Sequence, residues 1–129
     1  MRVQGLLTVS AVLEAVVGVA LLTSSSVPVL LLGAPLDTAP GVVVGRVAGA
    51  ALLSLGVACW LSRNGIPSSA SRGLVAALMI YNVLTTGLLA YSGLSLGLRG
   101  VALWPAVAIH VALAIWSAAC VMQRGRRFE

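Results

Sequence analysis

Four apolar runs of span length, set apart by short breaks, leave this chain very few ways to fold. They occupy residues 3–22, 41–61, 73–91 and 101–122. A helix rising about 1.5 Å per residue needs roughly 20 residues to cross the hydrocarbon core of a bilayer, and each run has that length. No soluble fold absorbs them. Of the 129 residues, 60% are apolar and 9% charged, where soluble domains carry about 25% charged residues. A chain this short has too small an interior to hide the difference. The expectation is an all-α fold: a single membrane domain, residues 1–129, built as a four-span transmembrane helix bundle.

The breaks between the runs have their own chemistry. Ser24, Ser25, Ser26 and Pro28 close the first run, because proline and clustered serines punctuate helices. Residues 23–40 stay apolar but are cut by Pro35 and Pro40, and no piece is long enough to span. They are expected as a loop lying in the membrane interface, with one helical turn at Val29–Leu32. Such a segment has the makings of a lid, although an inert loop is the simpler expectation. Residues 62–72 form a polar turn around Gly65 and Pro67, and residues 92–100 are glycine-rich. Trp60 anchors one span end at the interface, and Pro105 suits a first helical turn, where its missing donor is not needed. The charged start before the first run resembles a secretory signal, but Glu14 interrupts the apolar stretch, so a retained helix is expected.

Every basic residue is an arginine, and the net charge is +5. In a four-span arrangement Arg2, Arg63, Arg72, Arg124, Arg126 and Arg127 fall on one side and Arg99 on the other. Positive charge collects on the cytoplasmic side, so both termini are expected there, in a bacterial-type inner (cytoplasmic) membrane. Nucleic acid is not the partner this charge implies, since the chain has neither a long basic face nor an aromatic platform. Cys59 and Cys120 belong to no CxxC pair and are expected as buried, inert thiols.

Each run also carries a polar residue far from its ends: Glu14, then Arg46, then Tyr81 and Asn82, then His110. At about 1.5 Å per residue these lie roughly 12, 7, 14 and 13 Å below the outer end of the bundle for Glu14, Arg46, Asn82 and His110. A charge near mid-membrane costs roughly 2.5–3.5 kcal/mol on insertion scales. Glu14 and Arg46 are therefore expected to pair, with Tyr81, Asn82 and His110 satisfying the remaining donors and acceptors. Small residues flank the cluster at helical spacing: Ala11, Ala15 and Gly18 around Glu14, and Gly45 and Gly49 around Arg46. The glycines at 41, 45 and 49 suit either internal packing or a dimer seam.

Such a cluster reads two ways. It is a structural clasp that fixes helix register, or it is a ligand or proton site, since intramembrane ionisable residues mark pathways and pockets. Haem held by His110, with Tyr81 or a second copy's histidine opposite, is a further alternative. No cofactor or metal is expected, and no nucleophile stands beside a base, so nothing points to an enzyme.

Particular stretches carry a family resemblance. LEAVVGVALL in the first run, GRVAGAALLSLGVACWLSR in the second, IYNVLTTGLLAY in the third and WPAVAIHVALAIW in the fourth together resemble the small bacterial four-helix membrane proteins of DoxX-like type. That resemblance covers nearly the whole chain and implies a four-helix bundle. Its members are linked variously to redox partners, quinones and assembly roles. The chain is also similar in size to the small multidrug resistance transporters, which carry an essential acidic residue in span one, where Glu14 stands. It departs from them in its strong charge bias, in offering only Tyr81 as an aromatic for a drug site, and in placing Arg46 near the acid.

The functional expectation is a small integral membrane protein that binds an amphipathic lipid or quinone-like ligand at its polar cluster. Docking to a larger membrane partner or to further copies is the variant of that reading. The alternatives are a proton-coupled transporter using Glu14 and a haem- or quinone-linked redox subunit.

Overall fold

The computed structural model describes residues 3–66 and 68–125, the side chains of residues 124 and 125 excepted. Arg2, Pro67, Arg126 and Arg127, each used in the sequence argument, lie outside the described residues. The described residues form five helices: α1 (Val3–Thr23), α2 (Ser26–Leu32), α3 (Ala39–Ser62), α4 (Ser69–Leu94) and α5 (Leu103–Gly125). Four of them, α1, α3, α4 and α5, are long and apolar enough to cross a membrane. The protein is a multi-pass helical membrane protein.

Two helices start earlier than the apolar runs suggest, and caps explain both. Thr38 accepts a hydrogen bond from the Gly41 amide at 3.2 Å, and Pro40 sits in the first turn, so α3 opens at Ala39. Ser68 and Ser71 cap each other reciprocally, at 3.0 and 3.2 Å, and carry the start of α4 back to Ser69. Arg72 thus stands inside the first turn of α4.

Residues 23–40 are more ordered than an interfacial loop with a single turn. Ser26–Leu32 is a two-turn helix with Pro28 tolerated in its first turn, and Gly33 closes it in the left-handed conformation at φ 75°. α2 is tied to the segment leading into α5. The Ala102 amide donates to the Leu30 carbonyl at 2.9 Å, and Gly100 lies directly on the backbone of Leu30 and Leu31. α2 therefore caps the end of the bundle where α1 stops and α5 begins.

The long helices pack as two antiparallel pairs, α1 with α3 and α4 with α5. The first pair is joined by glycines. A Cβ on Gly18 would stand 2.6 Å from the Leu53 nitrogen, one on Gly49 would meet the Gly18 carbonyl at 2.8 Å, and one on Gly56 the Ala15 nitrogen at 2.9 Å. Backbones approach this closely only where side chains are absent. Gly49 and Gly56 thus serve internal packing, while Gly45 and Gly41 receive Leu36 of the 33–38 segment. The apolar core, including Leu6, Leu7, Cys59, Leu78, Leu113 and Cys120, lies between the pairs toward the end that carries Arg63 and Arg72. That end is called the basic end below. Cys59 and Cys120 are buried, and neither forms a disulfide.

Candidate functional site

Above the apolar core, three helices bring four polar side chains to one level. Glu14 on α1 is 3% exposed, and Asn82 on α4 is fully buried. Tyr81 on α4 and His110 on α5 are half-buried. The Tyr81 hydroxyl donates to Glu14 Oε2 over a long 3.3 Å. The Tyr81 and His110 rings meet edge-on, with centroids 5.7 Å apart and planes at 81°. His110 Nδ1 lies 2.7 Å from Asn82 Oδ1. The row runs Glu14, Tyr81, His110, Asn82, and it crosses from the first helix pair to the second.

The amide of Asn82 fixes the histidine tautomer. Its Nδ2 donates to the Leu78 carbonyl at 2.8 Å, and a carbonyl accepts only from the nitrogen, so Oδ1 is the atom facing the ring. His110 therefore donates from Nδ1, and in the neutral ring Nε2 is left as an acceptor. Thr86 donates to the Asn82 carbonyl at 2.8 Å and holds that turn of α4. Ser117, seven residues beyond His110, is buried and spends its hydroxyl on the Leu113 carbonyl at 2.7 Å, so it adds nothing to the row.

Arg46 is not part of this group. The expected Glu14–Arg46 pair does not form, because Arg46 Nη1 donates instead to the Leu22 carbonyl in the last turn of α1. Leu22 is eight residues past Glu14, about 12 Å along the helix. The glycine seam sets this outcome. With Gly49 against Gly18, Leu21 and Leu22, position 46 is level with the end of α1 rather than with Glu14. The last turn of a helix leaves carbonyls without intrahelical donors, and the long side chain reaches toward them along the bundle surface. Arg46 is exposed beside the seam and acts as a cationic cap on α1.

Among the described residues Glu14 consequently has no cationic partner, and the Tyr81 hydroxyl is its hydrogen-bond donor. A carboxylate buried without a cationic partner is costly to keep charged. One residue joins the picture that the sequence reading passed over. Ser10 is fully buried one turn before Glu14, and among the described residues its hydroxyl has no hydrogen-bond partner. Its spacing of four from Glu14 was visible in the sequence, but nothing marked so small a side chain as buried. Among the described residues no three His, Cys, Asp or Glu side chains converge where they could share a metal ion.

Comparison of the chain with family models, curated proteins and solved structures finds no match.

Proposed function

We propose that this is a small protein of a bacterial-type inner membrane, both termini cytoplasmic, that binds an amphipathic small molecule at Glu14, Tyr81, Asn82 and His110. The orientation rests on the basic end, where Arg63 and Arg72 are found. One observation carries the binding reading: the polar row is graded, with Glu14 and Asn82 sealed inside and the two rings half-open toward the bilayer. A quinone-like head suits that gradient. One quinone oxygen accepts the Tyr81 proton in place of Glu14 Oε2, whereas a hydroquinone head donates its hydroxyls to His110 Nε2 and Glu14.

His110 is the single histidine of the chain, which gives the test a clean signal. Decylubiquinone added to the protein in neutral-lipid nanodiscs should shift the His110 imidazole resonances. Glu14→Gln and Tyr81→Phe should each weaken that binding about tenfold. An imidazole spectrum unmoved at saturating quinone ends the proposal.

A second reading has its own support. With Arg46 at the end of α1, no described cation of the chain pairs with Glu14, as a proton-coupled transporter of cationic amphipaths requires. Under this reading, tetraphenylphosphonium releases protons from the wild-type protein, and Glu14→Gln abolishes the release.

A further inference from the structure

We infer a second binding site, distinct from the polar row, for one anionic phospholipid at the basic end of the bundle. A groove of about 300 Å³ opens there between the first turns of α1 and α4 and the end of α5. Ligand clefts begin at roughly this size. Its walls are apolar: Val75 and Cys120 are buried at its floor, with Ala76 and Val121 at its sides. Gly73 widens it, since a Cβ at that position would meet no atom within 4 Å. Arg72 stands at its rim.

The two arginine side chains described at this end behave differently. Arg63 is occupied, donating to the Trp60 carbonyl at 2.9 Å and stacking 3.2 Å above the Trp60 ring. Arg72 is exposed, and among the described residues its guanidinium has no hydrogen-bond or ion-pair partner. The capping box holds its helical turn in place, so the Arg72 backbone is fixed beside an apolar slot that its side chain can reach over. An apolar slot beside an exposed guanidinium matches one class of membrane molecule, a phospholipid with a net negative head. The acyl chain fills the slot and a phosphate oxygen accepts from Arg72. A zwitterionic lipid offers the same chain but carries its own cation beside the phosphate, so it gains less from Arg72.

Native mass spectrometry of the full-length protein in neutral detergent, titrated with phosphatidylglycerol or phosphatidylcholine, tests this. One phosphatidylglycerol should be retained preferentially, and Arg72→Gln should cut that preference about fivefold. Arg99→Gln removes an exposed arginine from the opposite end and should leave the preference intact. Gly73→Leu places a side chain in the slot while favouring the helix, so it should lower retention of both lipids with the protein still folded by circular dichroism. Equal retention of the two lipids by the wild type overturns the inference. So does an Arg99→Gln effect as large as that of Arg72→Gln, or a Gly73→Leu variant that folds and binds as before.

Discussion

The two helix pairs are held together by opposite means. Between α1 and α3 the contact is backbone on backbone, made where Gly18, Gly49 and Gly56 remove the side chains. Between α4 and α5 the side chains remain, and one of the contacts is the hydrogen bond from His110 to Asn82. A backbone seam fixes register tightly and leaves no room for chemistry. A side-chain seam is wider and can hold polar groups at depth. The row of polar residues accordingly belongs mostly to the second pair, and the first pair contributes one group, Glu14, through its bond with Tyr81.

Substitutions can break this contrast, beginning with the seam that tolerates least. Gly18→Leu forces α1 and α3 apart and should cost about 3 kcal/mol, the upper range for overpacking, read as loss of folded protein in a detergent unfolding titration. Asn82→Leu should cost about 1–2 kcal/mol, because the His110 Nδ1–H loses its acceptor, while the Leu78 carbonyl loses only its second donor and keeps its helical one. A change confined to His110, with the α1/α3 pair still protected from hydrogen exchange, is the expected pattern. Tyr81→Phe severs only the bond between pairs and should cost about 0.6 kcal/mol, the average for polar contacts between spans. Gly87→Ala sharpens the argument from the other side. A Cβ there meets nothing within 4 Å, so stability should hold or rise by up to about 1 kcal/mol. If Gly87→Ala were as damaging as Gly18→Leu, glycine content rather than close contact would govern the fold.

The long helices were legible because span-length apolar runs have no other outcome at this size. So was the common level of Glu14, Tyr81, Asn82 and His110, since depth follows from counting residues along a helix. Arg46 was misplaced for a definite reason. Counting gives depth along each helix but not the register between helices, and that register is set by which glycine meets which. The start of α4 was hidden in a reciprocal serine cap, a local device that no apolar run records. α2 was underestimated because its ordering depends on Gly100, some seventy residues away in the chain.

The contact of α2 with the start of α5 bears on how anything reaches Glu14. It closes the bundle end beyond the polar level, and the packed apolar residues lie on the other side of that level, so the half-buried rings of Tyr81 and His110 are its open side. A ligand bound there as proposed would arrive sideways, out of the oil and not from water. Its potency would then track how strongly it dissolves in the bilayer, and a homologous series differing only in tail length should rank by partition coefficient before it ranks by fit.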